Sequence, residues 1–184
     1  RILLQSGRAR AIAAYMMLLG ILATAFAAAE TELVGAGVAG SREQHFLLAS
    51  VEFWSQSLVL VLQLFMTGRL LQRWPAAVLL VSLPVVSVVG LAALWIAPVV
   101  LTINLVRIGR RGAQFAFEKP AREVLYAPLA LATKHKVKFL LDTFAFRLGD
   151  LFGAWLAVGL RASGLGVGTA AGATTLVALV WIAL

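Results

Sequence analysis

Six nearly unbroken apolar stretches divide the chain, at approximately 11–33, 50–71, 76–97, 98–118, 138–160 and 165–184. Each is close to the ~20 residues that a helix needs to cross ~30 Å of hydrocarbon. Inside a bilayer every backbone donor and acceptor must be satisfied internally, which leaves helices or a closed barrel. The stretches do not alternate strictly between apolar and polar residues, so the pattern predicts helices. The expected architecture is all-α: a polytopic transmembrane helix bundle of six spans, with residues 1–184 as a single transmembrane domain. The connections between spans have a rhythm. A polar connection at 34–49 precedes a tight turn at Arg69 to Pro75 and an almost absent turn at Ala97-Pro98. A long basic loop at Lys119 to Val137 and a short turn at Arg161 to Gly164 follow.

Composition agrees with lipid as the solvent. The chain is 61% hydrophobic and 13% charged, with a mean hydropathy of +0.94. Soluble domains average about 45–50% apolar and about 25% charged residues, so one core could not hide this surplus. The formal net charge of +8 invites comparison with nucleic-acid binders. Those cluster basic residues on one solvated face, whereas here they sit in short tracts between apolar runs, and nucleic acid is not expected as a partner. With the N-terminus on the cytoplasmic side, the inner connections hold Arg1, Arg8, Arg10, Arg69, Arg73, Lys119, Arg122, Lys134, Lys136 and Lys138. The outer ones hold Arg42 and Arg161. This is a positive-inside distribution, and it places both ends of the sequence in the cytoplasm. The first stretch, with Arg8, Arg10 and Ala25-Phe26-Ala27, superficially mimics a secretion signal, but its apolar part is too long for one. Because the sequence starts at Arg1 without methionine and ends at Leu184 inside an apolar run, it reads as a piece of a longer protein.

Candidate chemistry narrows to charges inside the spans. There is no cysteine, and His45 and His135 lie far apart in predicted loops, so neither a thiol nucleophile nor a metal site is expected. In the fourth span Arg107, Arg110, Arg111, Gln114 and Glu118 fall within roughly a 100° arc of a helix. Counted from Pro98, Arg107 lies about 14 Å deep. Snorkelling to the inner interface would serve Arg110 and Arg111 but strains for Arg107. In the fifth span Asp142, Arg147 and Asp150 share roughly a 140° arc. Asp150 reaches about the depth of Arg107, so the expected ion pair joins Asp150 to Arg107 or Arg111. Each central charge costs about 2.5–3.5 kcal/mol to insert, so these groups need partners or water. Two readings follow. One is an internal salt-bridge network that fixes helix packing; the other is a water-filled cavity for an anionic solute.

Other polar residues point less sharply. Glu30 and Glu32 close the first span and Glu52 opens the second, positions expected to be wet rather than functional. Glu52, Ser55, Gln56 and Gln63 nevertheless share a helical stripe that could face the same cavity. Pro84 and Gly90 suggest a kink in the third span. Trp54, Trp95 and Trp155 read as packing or interfacial anchors. The Gly164-Leu165-Gly166-Val167-Gly168 run lacks the preceding strand of a dinucleotide fingerprint, and no G-x-x-x-x-G-K-[ST] sequence is present. Gly168 and Gly172 fit a close helix contact instead.

Two tracts carry a resemblance to a known family. Thr67-Gly68-Arg69-Leu70-Leu71-Gln72-Arg73 looks like a degenerate form of the glycine-plus-basic turn of major-facilitator transporters. The second tract joins Lys119-Pro120-Ala121-Arg122-Glu123-Val124-Leu125-Tyr126-Ala127-Pro128-Leu129 to Lys134-His135-Lys136-Val137-Lys138 and Asp142, then Arg147-Leu148-Gly149-Asp150 and Gly153. It resembles the ATP/ADP translocase family of plastids and intracellular bacteria and its bacterial relatives within the major facilitator superfamily. The match covers about residues 107–155, and six helices in two groups of three would fit the C-terminal half of such a transporter, with its 3+3 inverted repeats. The resemblance implies nucleotide exchange by alternating access in a bacterial inner (plasma) membrane, without hydrolysis or a cofactor. The family carries lysine at the positions of Arg122 and Asp150; the first difference keeps the charge and the second reverses it.

The sequence therefore leads to a secondary transporter as its first expectation. Its partners would be the lipid bilayer, a missing N-terminal half of the same chain and a small anionic solute such as a nucleotide. Arg107, Arg110, Arg111, Gln114, Arg147 and Asp150 are the expected substrate-binding residues. Asp142, Arg122, Glu123, Lys134, Lys136 and Lys138 would form a cytoplasmic entrance or gate. The alternative is a transport-inactive membrane domain that scaffolds or regulates a fused soluble module. No Ser/His/Asp, Cys/His or metal constellation appears, so no enzyme is expected.

Overall fold

The computed structural model describes residues 7–37, 41–126, 138–164 and 166–183. Among them the chain is helical and no strand occurs. We number six helical rods in chain order. Helix α1 is Gly7–Gly37. Helix α2 runs from Ser41–Leu62 through a π-helical turn, Gln63–Thr67, to Gly68–Arg73. Helix α3 is Ala76–Ile96. Helix α4 combines Val100–Ala113, a π turn at Gln114–Glu118 and Lys119–Leu125. Helix α5 is Leu140–Ala162, beginning with a π turn at Leu140–Ala145, and α6 is Val167–Ala183.

By length and composition, Arg10–Ala36 within α1, His45–Arg73 within α2, α3 and α5 can each cross a membrane. The protein is therefore an integral membrane protein in character, a bundle whose outer surface is apolar. Phe53, Trp54, Trp95, Ile96, Phe144 and Trp155 are among the large apolar side chains left exposed. Helix α4 is excluded from that set by its own charges, and α6 is apolar but 17 residues long.

Two expectations about connections are corrected. The predicted polar connection at 34–49 is almost entirely helix, since α1 continues to Gly37 and α2 already begins at Ser41. Hydropathy locates lipid contact, not helix ends, and a polar helix can continue beyond the hydrocarbon. Glu43, in the first turn of α2, suits a helix start through its interaction with the helix dipole. Likewise the predicted loop at Lys119 is helical as far as Leu125. Elsewhere the chain turns where its residues dictate. Pro75, extended at φ −62° and ψ 145°, precedes α3. Gly164, at φ +72°, takes the left-handed conformation that lets α5 end within one turn.

The core joins α1, α3, α4, α5 and α6 through Met16, Leu19, Leu22, Leu83, Leu94, Ile103, Leu141, Ala178 and Trp181. Helix α1 packs most extensively on α5, and α3 on α6; α2 and α3 both lie against α4, and α6 and α4 against α1. Exchanging α1 with α4, α2 with α5 and α3 with α6 interchanges four of these six pairs and returns α1–α4 and α3–α6 to themselves. The α1–α5 crossing is a backbone contact. A Cβ on Gly149 would sit 2.2 Å from the Met17 carbonyl oxygen, and one on Gly153 would sit 2.7 Å from that of Ile21. Opposite them, a Cβ on Gly20 would meet the Phe146 carbonyl oxygen at 2.5 Å. This Gly149-xxx-Gly153 pair is the small-residue contact that membrane helices use when water supplies no driving force between them. Gly168 and Gly172 also face a neighbour, the Leu94–Pro98 end of α3, at a looser 3.4 Å.

Proline 84 lies inside α3 without breaking it. A proline has no N–H, so the carbonyl four residues earlier, that of Leu80, loses its helical partner. The Tyr15 hydroxyl of α1 donates to that oxygen at 3.1 Å. A neighbouring helix thus repairs the defect that the kink expectation anticipated.

Candidate functional site

Charged side chains inside the bundle form three levels. We call the end where α1 begins and where α2 meets α3 the basic end, because Arg10, Arg69, Arg73 and Lys138 cluster in its segments. The end holding the α1–α2, α3–α4 and α5–α6 connections is the far end.

The level nearest the far end joins three helices. Arg107 of α4 pairs with Glu30 of α1 and, at 3.0 Å, with Glu52 of α2. Arg111, one turn further along α4, also pairs with Glu52. Gln56 donates to the same carboxylate at 2.9 Å. All four charged side chains are partly covered, Glu30 most at 16% exposed. This overturns the expected Asp150 partnership with Arg107 or Arg111, and also the view of Glu30 and Glu52 as merely wet. The physical reason is that α1 continues to Gly37 and α2 begins at Ser41, so Glu30 and Glu52 both lie within helices, on faces packed toward α4. Closer to the far-end connections, Arg161 of α5 donates to Glu32 at 3.1 Å and to the Ala28 carbonyl at 2.9 Å.

The middle level holds Asp150, which accepts from Thr24 of α1 at 3.1 Å and from Arg147, one turn away on α5, at 3.2 Å. Arg147 is 76% exposed, so this pair opens outward rather than toward α4. Arg110 also departs from expectation. The 100° arc of α4 is wide enough for its edges to face different helices, and Arg110 turns away from Arg107 and Arg111. Its guanidinium lies 4.1 Å from the Phe26 ring centre and donates through Nε to the buried Ser87 hydroxyl at 3.1 Å. Among the described residues it has no carboxylate partner. The ring face can contribute about 2 kcal/mol to a desolvated cation, which partly offsets the missing anion. Gln114 is half-buried at the start of the α4 π turn.

The level at the basic end gathers α1, α4 and α5. Arg122 bonds Asp142 at 3.0 Å through Nη1, contacts the Met16 sulfur, and brings Nε to 3.2 Å from Glu118. Glu118 is fully buried, and neither of its oxygens accepts a hydrogen bond from a described residue. The two observations about Arg122 and Glu118 differ in kind: the separation is an ion pair's, but the N–H is not directed at the oxygen. Lys138 pairs with Glu123. The buried Tyr126 hydroxyl beside this cluster is pushed up to about 12, first by burial and next by the Asp142 carboxylate, so it stays neutral. Lys134 and Lys136 lie outside the described residues.

A fourth contact was not legible in the sequence. The Gln63 side chain donates to the Phe115 carbonyl at 3.1 Å, and the Thr67 hydroxyl to that of Ala116 at 2.8 Å. Both donors belong to the α2 π turn and both acceptors to the α4 π turn. A π turn interrupts the regular i to i−4 ladder, and such turns recur at functional positions. Of the expected stripe on α2, Ser55 is instead buried and bonded to its own helix at Val51.

Among the described residues, no group of three or more His, Cys, Asp or Glu could hold a metal ion. No protein-family model, curated protein or solved structure matches the chain.

Proposed function

We propose that this chain is half of a secondary membrane transporter that moves a small anionic solute by alternating access, with all six helices crossing the bilayer. The observation that carries the reading is the Glu30–Arg107–Glu52–Arg111 level. Four charges from three helices meet at partial exposure inside the bundle. Their insertion cost is offset by one another and by water, and a guanidinium shared between carboxylates can exchange one of them for an anionic ligand. Packing supports the same reading. The exchange of α1–α3 with α4–α6 that preserves the packed helix pairs is the relation expected of a 3+3 inverted repeat. A second half of the molecule would then cover the open side where Arg147 is exposed. The resemblance of residues 107–155 to nucleotide translocases makes nucleotides the first solutes to try.

The decisive experiment is uptake or exchange by full-length protein in liposomes. Wild-type protein should move a nucleotide or phosphorylated metabolite, and Arg107→Ala should lower that flux at least tenfold. Unchanged flux in Arg107→Ala and Arg111→Ala would remove the substrate-site role. One observation favours the scaffold alternative: Arg107 and Arg111 are already paired within the protein, as an internal packing network requires. A folded, full-length protein that transports none of these solutes would favour that alternative.

A further inference from the structure

We infer that Glu118 is a proton-binding site, and that its protonation and deprotonation drive the transport cycle; the coupling part rests on the transporter reading above. Three structural features meet at this position. Glu118 has 0% exposure, at the π turn of α4. Neither carboxylate oxygen accepts a hydrogen bond among the described residues. The nearest cation, Arg122, is shared with a second carboxylate, Asp142, which it bonds with proper geometry at 3.0 Å. Two carboxylates and one guanidinium carry one net negative charge, in a cluster whose Glu118 end is fully buried. One added proton makes the cluster neutral.

The surroundings decide which carboxylate takes it. The groups facing Glu118 are Arg122 and Lys119 from its own helix, Asp142 from α5, Tyr15 from α1, and Tyr126 at the end of α4. Lys119 is exposed and turned over the Phe115 ring, 5.4 Å from its centre. Tyr15 donates its hydroxyl hydrogen bond to the Leu80 carbonyl and so is not a donor to Glu118. The Tyr126 hydroxyl is buried and has no hydrogen-bond partner among the described residues. Asp142 is 31% exposed and bonded to Arg122, so it is the water-facing member of the pair. Glu118 is the fully buried member, and neither of its oxygens accepts a hydrogen bond among the described residues. The step is a simple acid–base exchange. A hydronium ion entering past Asp142 gives its proton to one Glu118 oxygen, forming a neutral carboxylic acid and leaving water. Return of the proton to water restores the carboxylate and its attraction to Arg122. The α1, α4 and α5 contacts through Arg122 therefore tighten or loosen with the protonation of one atom.

The test reads the proton directly. Infrared spectra of the reconstituted full-length protein should contain a protonated-carboxyl C=O band that shifts in D2O and vanishes as pH rises. The band should be absent in Glu118→Gln and displaced in Glu118→Asp, which also serves if the glutamine variant folds poorly. Asp142→Asn should lower the midpoint pH, because it removes the competing carboxylate and frees Arg122. In liposomes with the membrane potential clamped at zero, one unit of imposed pH difference should accumulate solute about tenfold in wild type, for one proton per cycle. Glu118→Gln should exchange solute without accumulating it. Absence of the band, or a band that never titrates, overturns the proton site. A titrating band with solute flux indifferent to the pH gradient overturns the coupling. A titrating band in a protein that moves no solute supports the proton site while sinking the transporter reading.

Discussion

At the scale of single residues, the determining contrast is between charges that are shared and charges that are merely near one another. Glu30, Arg107, Glu52 and Arg111 alternate in sign along one chain of contacts, so loss of one member leaves its neighbours uncompensated. Arg107→Ala should destabilise the folded protein by roughly 1–3 kcal/mol, less than a wholly buried pair because Glu52 keeps some access to water. Thermal unfolding in detergent measures this, and the double variant Arg107→Ala with Glu30→Gln should recover part of the loss. A subtler case is Tyr15, whose hydroxyl fills the carbonyl vacancy created by Pro84. Tyr15→Phe should cost about 1–3 kcal/mol, the penalty of an unsatisfied buried acceptor, while Pro84→Ala in the same background should remove most of it. If the Phe variant unfolds at the wild-type temperature with Pro84 present, the repair argument is wrong.

At the scale of helices, α1 and α5 are held by the absence of side chains. Membrane helices gain little from excluding lipid, so close backbone approach and the contacts it permits carry the association. Gly149→Leu or Gly153→Val should push the two helices apart and cost at least about 1–3 kcal/mol, the usual range for overpacking. Gly159, further along α5, meets nothing within 4 Å, and Gly159→Ala should be silent. Equal unfolding temperatures for all three variants would contradict the crossing. The α2–α4 joint works differently, through two side-chain donors to two backbone acceptors. Replacing both Gln63 and Thr67 by apolar residues leaves the Phe115 and Ala116 carbonyls without these donors and should lower stability by about 1 kcal/mol per bond.

For the whole molecule, the sharpest accessible question is orientation. The chain contains no cysteine, so single cysteines can be introduced without a background signal. Arg42→Cys at the far end and Arg73→Cys at the basic end should react with an impermeant maleimide from opposite sides of the membrane, Arg73→Cys from the cytoplasm. Labelling of both from one side would refute the topology. Ligand class can be approached by thermal stabilisation. An anion at one hundred times its dissociation constant should add about 2.7 kcal/mol to the folded state. Stabilisation by neutral or cationic solutes alone would redirect the search away from anions.

Hydrophobic length determined the most. Transfer from water to lipid depends on local composition, so the positions of the apolar rods and the burden of charge on α4 and α5 could be read from the sequence. Arg10, Arg69, Arg73 and Lys138 likewise marked one end. Helix ends were less legible, because a helix may continue past its apolar stretch, as α1 does to Gly37 and α2 does from Ser41. Partners were the least legible. Depth counted along one helix gave Arg107 and Asp150 similar heights, but height fixes neither azimuth nor which helix stands opposite. Tertiary packing turned Asp150 toward Thr24, Arg110 toward Phe26, and Glu30 and Glu52 toward the arginines. The sequence determined which charges have to be sheltered, since that cost is local; only the packed bundle decided which charges shelter one another and left Glu118 without a donor among the described residues, since that depends on how the helices are rotated.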